Sequence, residues 1–481
     1  MFWRGVVGYL PANVAQGLVG FGAIVLFTRV LTPEAYGAYA LAFSIMSLAH
    51  TAIFTWIEAA MARFWAARQT DGRTADHMAT LHRLWFLAAL AYPVVAGLIL
   101  WLAPMPADAR AATAAGLAAV LFRSAAKMAQ ERYRAEGRVS AAARIDLIQS
   151  LGGFVVGIAV AFAFRTGAAP LIGLGAAAIA AFVPALPGEL KLAHGGRFDA
   201  ALAKSYAAYG LPVAASLILA LVLATTDRLV LGASLGEAAV GAYHAGYGLS
   251  SRTLDVLFIW LGMAGGPAMV MALERGGRAA LEDAAREQAS AMLLITAPAA
   301  VGLALVAGPL CELMVGEALR ADAARVTPWV AASALISGLT TYYFSQAFTL
   351  ARRTGLLLLA LAIPAIGNLA LNLVLTPRFG LDGALWATVA GYGVGGLSAW
   401  LLGRRVCALP IPWRTVERVA LACAAMSLAV SAIPAFGGVA ELSLKAGVGA
   451  AVYGALIIWF DAGLRHRALG IAQTLRRRAA A

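Results

Sequence analysis

The sequence predicts an all-α integral membrane protein of about fourteen transmembrane helices, arranged in two related halves. Hydrophobic residues make up 62% of the 481-residue chain and charged residues 13%, and the mean hydropathy is +0.80. Soluble domains, by contrast, are about half apolar and a quarter charged. Apolar runs of about 20 residues recur along the chain, the length at which an α-helix crosses roughly 30 Å of hydrocarbon. A β-barrel would show short alternating segments instead.

A repeated segment indicates the two halves. Residues 8–41 and 209–249 each have Leu-Pro near the start, then a long apolar run with charges at its end, a turn, and Gly-Ala-Tyr. Residues 166–173 and 376–383 form a second matching pair. Such repeats are typical of secondary transporters, whose substrate path lies between them.

Apolar length and interrupting charges predict fourteen spans. They lie at approximately 6–28, 36–62, 84–103, 111–130, 145–164, 171–188, 207–230, 239–270, 289–308, 329–350, 355–375, 383–403, 419–433 and 444–461. Residues 191–206 form the predicted cytoplasmic linker between the halves, with a short surface helix after Gly195-Gly196 that places Leu202 and Tyr206 on one face.

The basic residues predict the orientation. With the N-terminus in the cytoplasm, 28 of the 37 Lys and Arg residues are assigned to the inner side, and Arg252 lies within a span. The outer side then holds Arg29, Arg110, Arg165, Arg228, Arg320, Arg325, Arg378 and Lys445. This asymmetry places both termini in the cytoplasm. It also accounts for the net charge of +13 without a nucleic-acid partner.

No cofactor, metal or nucleotide site is predicted. The pattern Gly391-x-Gly393-x-x-Gly396 lies inside an apolar span and follows no strand, so it indicates helix packing and not dinucleotide binding. His77 and His82 lack a third ligand nearby, and the three cysteines follow no metal or disulfide spacing. Because there is no P-loop, gradients of ions or substrate, or the membrane potential, must drive any transport.

Ionisable groups at membrane depth are the strongest functional candidates, because each costs a few kcal/mol there unless it faces water or a partner. They are His50, Glu58, Arg123, Lys127, Asp146, Asp227, Arg228, Arg252 and Asp255. Glu58, Arg123, Lys127 and Asp146 lie near predicted inner ends, where snorkelling or interfacial pairing explains them equally well.

Arg252 and Asp255 lie well inside the eighth span, three residues apart and hence on one helical face. An arginine there is suited to grip a phosphate by bidentate hydrogen bonds. The alternative is a structural pair with Asp255 or Asp227. Asn368 and Asn372, four residues apart after Pro364, present two amides that suit sugar hydroxyls, although helix-to-helix hydrogen bonds are the favoured interpretation.

Four segments carry a family resemblance: TRVLTPEAYGAYAL (28–41), DRLVLGASLGEAAVGAYHAGYGLSSR (227–252), LMVGEALRADAARVTPWVAASALISGL (313–339) and TPRFGLDGALWAT (376–388). They resemble the multidrug/oligosaccharidyl-lipid/polysaccharide exporter superfamily, and within it the oligosaccharide flippases of the polysaccharide biosynthesis transporter family. Lipid II flippases of the same superfamily are similar around Arg252 and Pro267, but carry several arginines in the first span, where this chain has only Arg29 at the end. That departure favours an oligosaccharide flippase.

The resemblance implies two pseudo-symmetric six-helix lobes around a central cationic cavity, alternating access and two additional C-terminal helices. We therefore expect an N-lobe at 1–190, the linker at 191–206, a C-lobe at 207–403, and spans 13 and 14 with a basic cytoplasmic tail at 404–481. It also implies a non-enzymatic flippase of the bacterial inner membrane. That flippase would move undecaprenyl-pyrophosphate-linked oligosaccharide to the outer leaflet for O-antigen, capsule or exopolysaccharide assembly, with a polysaccharide polymerase as a partner.

Together these observations predict two sets of site residues. The substrate-binding set is Arg252, Arg29, Arg228, Arg123, Lys127, Asn368 and Asn372, and the carriers of a coupling proton or sodium ion are Asp255, Asp227 and Glu58. Three alternatives stay open: a cation-coupled exporter of drugs or small amphiphiles, a lipid II flippase, and a non-transporting subunit of polysaccharide assembly. The exporter would require an acidic cavity for its cationic cargo.

Overall fold

The computed structural model describes the backbone of residues 2–460 and the side chains of 16–353 and 355–460. This part of the chain is helical and contains no strand, which confirms the predicted class. The helices are α1 Phe2–Val30, α2 Pro33–Ile53, α3 Thr55–Thr70, α4 Thr74–Leu102, α5 Ala107–Ala135, α6 Val139–Leu147, α7 Gly153–Phe164, α8 Ala169–Phe182, α9 Leu186–Ala193, α10 Ala200–Leu235, α11 Glu237–Leu305, α12 Ala307–Met314, α13 Glu317–Leu339, α14 Gln346–Leu350, α15 Thr354–Arg404, α16 Trp413–Ser431 and α17 Gly438–Phe460. The side chains of Leu10 and Pro11 and the predicted basic tail after residue 460 lie outside the described part.

Two long helices each contain two of the predicted spans. Gly277 in α11 has a φ of 66° and Gly380 in α15 a φ of 62°. At each of these glycines one helical segment ends and the next begins. Glycine adopts this left-handed conformation without a steric penalty, which is why it ends helices so often. Each predicted span lies largely on helix among the described residues, although those at 36–62, 171–188, 289–308 and 329–350 each cross a break between helices. Seven helices in the described part are long and apolar enough to cross a membrane, or eight when the bent pair α8 and α9 counts as one span.

The chain forms two compact units. Unit 1 comprises residues up to Ala245 with Val315–Leu319 and Ala365–Ala387, and unit 2 comprises Gly246–Met314, Arg320–Pro364 and residues from Thr388 onward. The two units are defined by packing and combine segments from distant parts of the chain, so they do not test the predicted lobe boundaries at 190 and 207. That division stays a prediction.

Small residues bring helices of unit 1 close together. A Cβ on Gly173 of α8 would lie 2.3 Å from the carbonyl oxygen of Gly153 and 2.5 Å from the amide nitrogen of Gly157, both on α7. Helices in a membrane gain no hydrophobic energy from meeting, so close backbone packing is their main attraction. Around Met46, Phe54 and Tyr92, larger buried side chains complete one core of this unit.

The linker is tied to the connection before α4. Asp199 caps α10, because its Oδ1 accepts hydrogen bonds from the amides of Ala201 and Leu202 at 2.7 and 3.1 Å. Its Oδ2 accepts a hydrogen bond from Arg73 Nη2 at 2.6 Å. Leu202 and Tyr206 are buried as part of α10 itself, so the separate surface helix predicted after Gly195-Gly196 is wrong: the cap at Asp199 starts a helix that continues into the span.

Candidate functional site

A buried polar cluster in unit 1 centres on Asp227 of α10, which is fully inaccessible to solvent. Its Oδ2 accepts a hydrogen bond from the Tyr243 hydroxyl at 2.7 Å, and its Oδ1 accepts one from Asn372 Nδ2 at 2.6 Å. Asn368 Nδ2 lies 3.4 Å from the same Oδ1. Because an unpaired buried charge is costly, these converging donors are what allow a carboxylate to sit here.

The two asparagines are themselves held by backbone and hydroxyl groups. Asn368 Nδ2 also donates to Ala387 O at 3.2 Å, and Asn372 Nδ2 donates to Asn368 O at 3.0 Å. Thr376 Oγ1 donates to Asn372 Oδ1 at 3.1 Å, whereas the buried Asn368 Oδ1 accepts no hydrogen bond from any described residue. Both side chains are fully buried. This geometry supports the packing interpretation, and their contact with sugar stays a prediction.

Arg228 follows Asp227 in the chain and is also buried. Its Nη1 donates to Ala224 O at 2.7 Å, and its guanidinium carbon lies 5.8 Å from the centre of the Tyr243 ring. Tyr243 thus contacts both the buried anion and the buried cation. Sequence reasoning did not select Tyr243 as a site residue, although the repeated Gly-Ala-Tyr motif marks its position.

A second cluster of unit 1 forms where α2 breaks into α3. The break at Phe54 places His50 and Glu58 together, with 3.0 Å between His50 Nε2 and Glu58 Oε1. Arg123 of α5 lies within electrostatic range of Glu58 and is half-buried, with its Nη1 3.9 Å from Met46 Sδ. The structure therefore brings Glu58 and Arg123, one predicted carrier and one predicted substrate residue, into the same cluster.

The remaining candidates of unit 1 make contacts within their own helix or with a neighbouring one. Lys127 Nζ is 3.0 Å from both Gln130 Oε1 and Glu131 Oε1 of its own helix, which matches the interfacial pairing considered from sequence. Asp146 pairs with Arg134 at 3.0 Å. Arg29 is exposed at the end of α1 and donates to Val25 O at 2.8 Å.

In unit 2, Arg252 and Asp255 are both exposed on the first segment of α11. No direct ion pair within 4.0 Å joins them, so the structural pair of Arg252 with Asp255 that was considered from sequence is not formed, although Asp255 lies in the electrostatic field of Arg252. Tyr342, another electrostatic neighbour of Asp255, stacks on Phe258 with ring centres 6.0 Å apart. Among the described residues Arg252 has no hydrogen-bond or ion-pair partner.

The chain has the overall fold of solved membrane transporters. A solved structure described as "Lipid II flippase MurJ, inward closed conformation" superposes with a TM-score of 0.74 at 14% identity, covering 94% of this chain and 98% of that one. An inward-facing multidrug resistance MATE family transporter of the MOP superfamily superposes with a TM-score of 0.64 at 16% identity, covering 82% and 93% of the two chains. At such identities the likeness shows the fold alone.

Sequence comparison gives the family. Residues 26–321 match the family described as "Polysaccharide biosynthesis protein". Because the match covers more than half of the chain, the protein belongs to this family. None of the curated proteins matches the sequence.

Proposed function

We propose that the protein moves lipid-pyrophosphate-linked oligosaccharides from the inner to the outer leaflet of the bacterial inner membrane by alternating access. Membership of a polysaccharide biosynthesis family and the fold of membrane transporters support this function. The observation that carries it is the exposed guanidinium of Arg252, which lies within a membrane-spanning helix and has no partner in the described part of the chain.

The position of Arg252 makes this side chain informative. It lies roughly 22 Å along α11 from Glu237, at 1.5 Å per residue, and the helix segment continues well beyond it. A cation at such depth costs several kcal/mol unless it faces water or an anion. A pyrophosphate satisfies it, because guanidinium forms two parallel hydrogen bonds to phosphate oxygens. Asp255, one turn away, keeps the local charge low and so favours release of the cargo after transport.

Leaflet translocation in reconstituted vesicles tests the proposal, together with surface polysaccharide in a deletion strain. We expect labelled lipid-pyrophosphate oligosaccharide to become accessible on the opposite leaflet and the deletion strain to lack its O-antigen, capsule or exopolysaccharide. No translocation by correctly inserted protein, with normal polysaccharide in the deletion strain, would contradict the function as a whole. If wild type transports the substrate and Arg252 variants do not, the result supports the role of Arg252 independently of the test of the overall function.

For the coupling ion, the Asp227 cluster is the best-supported of the three predicted carriers. Rotation of the Asn372 amide by 180° would turn Oδ1 toward Asp227 and, with the unsatisfied Asn368 Oδ1, would gather oxygens of the kind that bind hard cations. A proton on Asp227 is the other chemistry the site allows, since protonation would remove the buried charge. Glu58, beside His50, and Asp255 are the remaining two carriers.

Two related functions have specific support. The MurJ likeness favours lipid II as cargo, but the first span lacks the arginines expected of a lipid II flippase apart from Arg29. The MATE likeness favours cationic drugs, for which the exposed Asp255 would serve as a counter-charge. A panel of the three cargoes in one vesicle assay separates them, and preferential transport of either alternative would reverse our assignment.

A further inference from the structure

A continuous apolar groove runs along unit 1 between α4, α5 and the bent pair α8 and α9. It has two stretches, with cavity volumes of about 460 and 440 Å³, and Trp85, Phe86, Ala125 and Phe182 line both. Phe86 is 60% exposed in the groove although it is a large apolar residue. None of the polar clusters described above lies in this groove.

The groove follows from local sequence. Pro184 and Pro187 break the helix between α8 and α9, and the two helices differ in direction by 52°. On α4, the lining residues recur at spacings of three and four from Ala79 to Leu90, which keeps them on one face. That stretch is about 16 Å long at 1.5 Å per residue. The groove therefore has the depth of one leaflet, half of the roughly 30 Å hydrocarbon core.

The end of the groove nearest the connections at 71–73 and 194–199 carries a positive charge. Arg83 lines it, is exposed, and has no hydrogen-bond or ion-pair partner among the described residues. Glu189, the acidic lining residue, pairs with Arg132, whose Nε donates to its Oε1 at 2.6 Å; Arg132 also pairs with Glu136, which pairs in turn with Arg138. His82 Nε2 lies 3.4 Å from the other oxygen of Glu189. The cation at Arg83 is therefore not compensated by the lining groups.

We propose that this groove binds an anionic glycerophospholipid, with the phosphate on Arg83 and an acyl chain along Phe86 and Leu90. The charge and the length of the groove both match such a lipid: guanidinium binds phosphate oxygens bidentately, and the apolar walls extend through one leaflet. A second copy of this chain or an apolar peptide would cover Arg83 without a counter-charge, which is unfavourable. The charge distribution predicts that this end of the groove faces the cytoplasm, and the bound lipid belongs to that leaflet.

Native mass spectrometry of the full-length protein tests the site without any transport. The protein is reconstituted with dioleoylphosphatidylglycerol or dioleoylphosphatidylcholine, and the retained lipids are counted. Wild type is expected to retain phosphatidylglycerol preferentially. Arg83→Gln should lower that preference roughly fivefold, the factor that corresponds to about 1 kcal/mol per basic residue at an anionic surface. Phe86→Ala, at an exposed position where folding is not at risk, should weaken retention of both lipids.

Arg144→Gln is the matched control, because Arg144 is exposed near the same predicted membrane face but does not line the groove. Equal effects of Arg83→Gln and Arg144→Gln would show general surface electrostatics and overturn the proposal. So would equal retention of the two lipids by wild type. Displacement of phosphatidylglycerol by a polyprenyl phosphate would assign the groove to the cargo lipid instead, and a dimer abolished by Phe86→Ala would assign it to a second copy.

Discussion

Gly241 packs directly against Gly37. A Cβ on Gly241 would lie 3.2 Å from the Gly37 amide nitrogen and 2.7 Å from the Pro33 carbonyl oxygen, and a Cβ on Gly37 would lie 1.7 Å from the carbonyl oxygen of Glu237. These glycines occupy equivalent positions in the two copies of the repeated segment. The two copies therefore meet backbone to backbone. The distribution of basic residues predicts that this contact lies on the outer side of the membrane. Nearby, the His244 ring lies 5.6 Å from that of Tyr36.

This contact predicts that Gly37→Ala destabilises the protein. The added methyl group cannot fit beside a backbone carbonyl, so the helices must separate, and overpacking of this kind costs about 1–3 kcal/mol. Thermal unfolding of the purified protein in detergent measures the loss. Gly97→Ala is the matched control, since nothing lies within 4 Å of a Cβ there and alanine is the better helix former. Equal melting temperatures for Gly37→Ala and wild type would contradict the close approach.

The proposed role of Arg252 predicts that Arg252→Ala abolishes translocation of the lipid-linked oligosaccharide, while Arg252→Lys retains part of it. Lysine keeps the charge but loses the planar fork that binds two phosphate oxygens. Translocation assays in vesicles measure both, after insertion and folding have been verified. Arg275→Ala, at an exposed arginine of the same helical segment, should be silent. Unchanged transport by Arg252→Ala would remove the residue from the site.

For coupling, we expect Asp227→Asn to abolish the response of transport to the driving ion, because the amide neither titrates nor carries charge. Tyr243→Phe removes one hydrogen bond from Asp227 but preserves the carboxylate, so coupling should persist with a stability loss of about 1.5–3 kcal/mol. Vesicle transport with imposed sodium or proton gradients distinguishes the two variants. If amides at Asp227, Glu58 and Asp255 together leave transport equally sensitive to ionophores, none of the three is the carrier.

The linker cap predicts a pH-dependent contribution to stability. The hydrogen bond from Arg73, and then those from the Leu202 and Ala201 amides, hold the pKa of Asp199 below its usual 3.8. Because the unfolded chain takes up the proton first, the stabilisation is fully present above about pH 3.8 and is lost as pH falls through the lower, folded pKa.

Melting temperatures of wild type and Asp199→Asn should therefore differ at pH 6, begin to converge below about pH 3.8, and become equal once the pH is below the lower, folded pKa of Asp199. Asp283→Asn is the control: Asp283 is exposed and its one ion-pair partner among the described residues is Arg286, so the substitution should have little effect at either pH. A difference between wild type and Asp199→Asn that stays constant down to pH 3 would show that the carboxylate charge contributes nothing to the cap.

Much of the fold was accessible from local sequence. Apolar runs predict helices because each residue contributes its own transfer free energy to the bilayer, whatever it later contacts. The breaks at Gly277 and Gly380 lie in connections between predicted spans, where the chain must reverse direction. The prediction was wrong for the segment after Gly195-Gly196, because a cap at Asp199 extends α10 backward, and a short amphipathic stretch cannot reveal whether it joins the next helix.

The residues of the candidate site were also partly predictable from sequence, but their partners were not. Sequence by itself identified Asp227, Asn372 and Arg252 as costly residues in apolar surroundings, because a polar side chain within a long apolar run is visible without knowledge of its partners. It could not show that Asn372 donates to Asp227 across 145 positions, or that Tyr243 completes that cluster. Nor could it show that Arg252 and Asp255, three residues apart, form no ion pair. Partner choice depends on which helix faces meet and on side-chain direction, and only the packed helices determine both.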